Sequence, residues 1–63
     1  MSELKTSLLE EQAQLETAIS TSEAFLNTEK AANNPVQKEL VEKQIPLMKQ
    51  YLGVLKERIA LLP

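Results

Sequence analysis

In the second half of the chain the apolar positions fall at Val41, Ile45, Met48, Leu52, Leu55, Ile59 and Leu62. The steps between them are 4, 3, 4, 3, 4 and 3, with no polar residue breaking the series. That alternation puts all seven on one stripe of an α-helix and is the heptad pattern of helices packed side by side. A second row, Leu40, Leu47, Val54 and Leu61, flanks the stripe. At about 100° per residue it widens the apolar arc to roughly half of the helix circumference. The first half is a weaker amphipath. Leu4, Leu8, Leu15, Ala18 or Ile19, and Leu26 share a helical face with Phe25 beside them, but Glu11 and Ser22 interrupt it.

These patterns predict one helix over 3–28, a turn over 29–34 and a second helix over 35–61, forming a single domain over 1–63. The Ser2 hydroxyl can accept a free N–H of the first turn, and Glu3 suits the positive end of the helix dipole. Asn33-Asn34-Pro35 is strong punctuation. Asn34 fits an N-cap, Pro35 fits the first helical position where no amide is needed, and Gln37 is placed to complete a capping box. So short a connection favours antiparallel neighbours. Pro46 removes one backbone hydrogen bond and crowds the Glu42 carbonyl, so a kink is expected there, or a helix split at that point. Gly53 costs about 1 kcal/mol relative to Ala in a helix interior. It is read as allowing close approach of another helix, in preference to backbone access for a ligand.

The predicted fold class is therefore all-α, an antiparallel two-helix hairpin. One weakly amphipathic partner cannot cover the arc of the second helix, and an uncovered remainder would be a large sticky patch on a small protein. The hairpin is thus expected to assemble as a homo-oligomeric bundle, with Val41, Ile45, Met48, Leu52, Leu55, Ile59 and Leu62 at the interface. A dimeric four-helix bundle is the smallest solution, and a tetramer or hexamer also suits the arc.

Composition sharpens this. A chain of 63 residues buries only about 60% of its unfolded surface, so small domains add disulfides, a metal or a second copy. There is no Cys and no His, which removes disulfides and ordinary zinc sites and leaves self-association. The absence of Cys fits a reducing compartment. The N-terminus lacks the pattern of a secretory signal, and no apolar run reaches the roughly 20 residues of a membrane span, so a cytoplasmic location is expected.

The net charge of −2 argues against a general nucleic-acid binder. The charge is also uneven. Residues 1–30 carry two Lys against six Glu, a net of −4, and residues 36–63 carry five cations against three Glu, a net of +2. Mutual attraction of two packed helices accounts for this, with an anion-binding face on the second half as the alternative.

Catalysis finds little support. No His can act as a base near neutral pH, no Cys can act as a nucleophile, and there is no phosphate-cradling loop or metal-ligand spacing. An enzyme is not expected, nor is a cofactor. One constellation has binding chemistry. Gln44, Tyr51 and Arg58 are spaced by seven along the edge of the apolar face. They read either as an interface edge, where ring and stem pack and polar tips reach water, or as a recognition row. Arg can grip phosphate bidentately, Tyr can stack on a base and Gln can bond its edge. Lys38, Lys49 and Lys56 share the opposite flank, as a solvated face or as an anion-steering one in which Lys49 and Lys56 would assist.

The run Glu39-Leu40-Val41-Glu42-Lys43-Gln44-Ile45-Pro46-Leu47-Met48-Lys49-Gln50-Tyr51, with Leu55 and Glu57-Arg58-Ile59, resembles small helical-hairpin accessory proteins of tailed bacteriophages and prophages. Phe25-Leu26 matches the pair that closes their first helix, and the likeness runs from Leu15 onward. Val41 stands where a second Leu is common, and Pro46 departs from the pattern. The resemblance implies action in the host bacterial cytoplasm and, among such proteins, a counter-defence role. Some sequester nucleotide immune signals; others block a host protein.

Three functions emerge as expectations. The first is a binding protein that sequesters a nucleotide-like anionic signal at an oligomer interface through Gln44, Tyr51 and Arg58, with Lys49 and Lys56. The second is a protein–protein module that inhibits or regulates a host protein through the acidic face of the first helix, with Glu11, Glu16 and Glu23. The third is a structural assembly component.

Overall fold

The computed structural model describes residues 3–63 and is all-helical. Helix α1 spans Glu3–Phe25, a single-turn α2 spans Glu29–Ala32, and α3 spans Pro35–Ala60. The long helices α1 and α3 pack antiparallel as a hairpin. At the open end the Lys5 Nζ donates to the Pro63 carbonyl oxygen at 3.5 Å. The expected cap at Ser2 lies outside the described residues.

The first helix is expected to run to Thr28, but α1 stops at Phe25, and the expected turn contains a third helix. Thr28 is the cause. Its Oγ1 donates to the Phe25 carbonyl at 2.6 Å and accepts from the Ala31 amide at 3.3 Å, so one hydroxyl ends α1 and caps α2. Glu29 then lies at the positive end of the new turn. Ala31, with no exposed surface, tucks α2 against α3.

The start of α3 is at Pro35 as expected, with Pro in the first turn, but the side-chain cap differs. Asn34 makes no cap bond to α3; its Nδ2 donates back to the Lys30 carbonyl at 2.8 Å, closing the end of α2. The Asn34–Gln37 capping box is therefore not formed. The Asn34 carbonyl instead accepts from the Lys38 amide at 2.9 Å.

Pro46 does not split the helix, and α3 runs through it without a break. Pro46 is exposed and lies about 150° around α3 from the centre of the packed stripe. On that outer side its ring meets solvent and the unpaired Glu42 carbonyl can bond to water. Gly53 lies on the same outer side. A Cβ built on it meets nothing within 4 Å, so no other helix of the chain approaches it. The close approach expected at Gly53 is absent within the hairpin.

The core is a single seam. Ile45 and Leu55 from α3 are buried with Leu8 and Ile19 from α1, and Leu55 has no exposed surface. Val41, Met48, Leu52, Ile59 and Leu62 are half-buried along the same stripe, opposite half-buried Leu15, Ala18, Phe25 and Leu26. The Cα trace measures 47 × 15 × 12 Å, with a radius of gyration of 14.6 Å. A compact chain of this length would have about 11 Å. The rod is one helix thick, so each helix keeps a face turned outward.

Two substitutions test this packing. Leu55→Ala is expected to cost about 2–5 kcal/mol, enough to unfold much of so small a domain. A loss below about 1 kcal/mol in urea titrations followed by circular dichroism would contradict the seam. Gly53→Ala fills open space on a helix and is expected to stabilise by up to about 1 kcal/mol; destabilisation would show that something does press on that position.

Candidate functional site

The heptad geometry of α3 sorts its side chains into three strips. The inner strip is the seam just described. The seven residues expected at an oligomer interface are thus turned toward α1 within one chain, either buried or half-buried. The apolar surface that α3 leaves open is the flanking row. Leu40 is 51% exposed, Leu47 64%, Val54 52% and Leu61 85%, and Val36 continues the row at 69%. Several large aliphatics thus stand in line on one side of a small rod, an arrangement of the kind that marks interaction sites.

Gln44, Tyr51 and Arg58 occupy the strip between the seam and this exposed row, all three exposed. Their helical positions place them on one side of the hairpin, seven residues or about 10 Å apart. Tyr51 is anchored by α1, its hydroxyl donating to Glu11 Oε1 at 2.5 Å. Glu11, an interruption when read as part of an apolar stripe, is therefore the α1 side of a cross-helix contact. The hydrogen bond to Glu11 holds the Tyr51 hydroxyl above the ordinary tyrosine pKa, with desolvation and the Glu11 charge adding to it and the Arg58 charge opposing it. Among the described residues no hydrogen bond or ion pair engages the side chain of Gln44 or Arg58, so their polar groups are available to a ligand.

Lys49 and Lys56 lie on the other flank of the seam, with Lys38. Lys49 Nζ pairs with Glu23 Oε2 at 3.1 Å across the two helices. Attraction between an acidic α1 and a basic α3 is thus visible as a contact. The five candidate ligand residues consequently divide: Gln44, Tyr51 and Arg58 share one side, while Lys49 and Lys56 share the other. A single hairpin does not bring all five to one ligand.

The remaining charges are on the surface. Lys43 Nζ and Glu39 Oε1 form the expected i,i+4 pair at 3.3 Å, and Gln12 Nε2 donates to Glu16 Oε1 at 3.3 Å. Both residues of the Lys43–Glu39 pair are more than two-thirds exposed, so it adds only a few tenths of a kcal/mol. Among the described residues no group of three or more acidic side chains could hold a metal ion, and no helix is long and apolar enough to cross a membrane.

A family model described as Sequestin matches residues 2–61, nearly the whole chain, and the protein belongs to the Sequestin family. No curated protein and no solved structure matches it.

Tyr51 is the only tyrosine and the chain has no Trp, so its titration can be read directly. Its tyrosinate absorbance is expected to rise later than the ordinary midpoint near 10, and Glu11→Ala should move the midpoint back. Because the folded-state pKa is raised, this contact stabilises the hairpin below the ordinary tyrosine pKa. That contribution disappears as pH rises through the folded-state value. An unchanged midpoint in Glu11→Ala would remove the cross-helix bond from the description.

Proposed function

We propose that this member of the Sequestin family is a non-enzymatic binding protein that sequesters a nucleotide-like anion. The name of the family speaks of sequestration, and the observation that carries the reading to this chain is the exposed strip of Gln44, Tyr51 and Arg58. Arg58 supplies a planar cation with free donors, suited to a phosphate. Tyr51 offers a ring whose hydroxyl is already held by Glu11, leaving a face for stacking. Gln44 can both donate and accept, as the edge of a base requires. These groups lie beside the exposed aliphatic row, which we take as the surface for self-association. The ligand would then be enclosed at a junction between copies, since the hairpin alone offers no shelter from water. Lys49 and Lys56, on the far flank, would act by attracting the anion over a distance set by the Debye length.

The resemblance to phage accessory proteins supports a setting for this capture: a bacterial cytoplasm during infection, with the protein acting as counter-defence against a nucleotide immune signal. The competing reading is inhibition of a host protein through the acidic face of α1, with Glu11, Glu16 and Glu23; there Glu11 and Glu23 would have to exchange their contacts with Tyr51 and Lys49 for a partner.

Native mass spectrometry of protein purified gently from its host tests the proposal. The expected species is an oligomer carrying additional mass of nucleotide size. Arg58→Ala should keep the helical signal and thermal stability while the occupancy of that mass falls by roughly tenfold or more, as the loss of a bidentate phosphate contact implies. Retained mass together with a large loss of stability would make Arg58 a packing residue and overturn the assignment.

A further inference from the structure

The exposed strip and the exposed row together hold a further regularity. In chain order they read Leu40, Gln44, Leu47, Tyr51, Val54, Arg58 and Leu61, with steps of 4, 3, 4, 3, 4 and 3. This is the buried seam displaced by one residue. Helix α3 therefore carries two heptad seams about 100° apart, the inner one against α1 and the outer one open to solvent. Two adjacent neighbours in a four-helix bundle stand at about that angle around a helix.

The outer seam is also nearly the same read in either direction. Reversal about Tyr51 sets Gln44 against Arg58 and Tyr51 against itself and, to within one residue, Leu40 against Leu61 and Leu47 against Val54. We propose that a second copy of this chain docks on this face with its α3 antiparallel and centred on Tyr51, so that Arg58 of one copy faces Gln44 of the other. Every apolar position then meets an apolar one, and the guanidinium meets a side chain that can accept its hydrogen bonds. A parallel arrangement in register would set Arg58 against the partner's Arg58, a like-charge contact that interfaces avoid.

The rest of the hairpin suits this geometry. A two-fold axis crossing the α3 pair at Tyr51 places α1 and its copy on the same side, which closes a four-helix bundle. Glu11 sits on the same side of the hairpin as Tyr51, and Leu4, Ala18 and Phe25 share its seven-residue spacing. Leu4 is 53% exposed, and Ala18 and Phe25 are only half-buried by α3. A standard interface of about 800 Å² per partner is roughly a sixth of the 4830 Å² that one chain exposes, which one face of this rod can supply.

The inference rests on the self-association put forward above and deepens it. The two Arg58 residues of such a dimer stand about 21 Å apart along the helix pair, too far to grip one phosphate together. The dimer therefore holds two equivalent sites, each made of Arg58 and the partner's Gln44 with a Tyr51 ring alongside. Neither copy has a whole site alone.

The chain has no cysteine, so single thiols can map the register. Leu47→Cys and Val54→Cys are made separately in the full chain and oxidised alone and as a mixture. The mixture is expected to give the cross-linked pair, and Leu47→Cys alone is not. Position 47 and its copy lie about 12 Å apart along the antiparallel pair, beyond the roughly 7 Å that a disulfide spans. Gln44→Glu is expected to tighten the dimer about two- to fivefold by facing Arg58, and at the same time to weaken nucleotide capture. Self-cross-linking by Leu47→Cys with a weaker Gln44→Glu dimer would overturn the antiparallel register while leaving capture by an oligomer standing. A monomer in sedimentation at the same concentrations that still carries nucleotide would overturn the dimer and leave the ligand residues standing.

Discussion

The contact between the inner seam of α3 and the apolar stripe of α1 is the constraint on which every other feature of the hairpin depends. Leu55 and Ile45 are buried with Leu8 and Ile19, and the described residues hold no other core beyond Ala31 under α2. A rod 12 Å thin can cover only one side of each helix. Once the inner seam is used within the chain, the next row around α3 must face outward. The aliphatics at Leu40, Leu47, Val54 and Leu61 are exposed because the hairpin has nothing left to lay over them. Gln44, Tyr51 and Arg58 share the border between the covered and the uncovered strip.

Electrostatics act on the flanks of this contact. Tyr51 and Glu11 tie one edge of the hairpin, and Lys49 and Glu23 tie the other. Both ties are solvent-exposed, so neither contributes much energy. Their effect is orientation. They straddle the seam and fix which side of α1 lies beside which side of α3. They also divide the candidate ligand residues into a set beside the exposed aliphatics and a set of lysines behind them.

Much of the fold is legible in the sequence because it depends on short-range periodicity. The unbroken alternation from Val41 to Leu62 marks the packed face of α3, and Asn34-Pro35 marks its start. The early end of α1 is harder to read. Leu26 continues the apolar stripe past Phe25, while the Thr28 hydroxyl, serving Phe25 and Ala31 at once, ends one helix and starts the next. Asn34 has the character of a cap for α3, yet its Nδ2 donates back to the Lys30 carbonyl of α2 and no side-chain bond caps α3. The link between Tyr51 and Glu11 joins residues 40 apart, and no local pattern encodes it. Glu11 resembles a flaw in a stripe because its partner lies on another helix. The outer seam is present in the sequence as two separate rows, and they become one surface only once α1 occupies the inner seam.

The bond from Lys5 to Pro63 brings the start of α1 and the residues after α3 to the same pole of the rod. A load applied between the ends would therefore not slide α1 along α3, where every seam contact would resist together. It would part the helices as a zipper parts, beginning near Leu62 and reaching Leu55, Met48 and Ile45 in turn, one layer bearing the strain at each moment. Under such a load the hairpin meets a series of small barriers in place of one large one, and it is mechanically soft along that line.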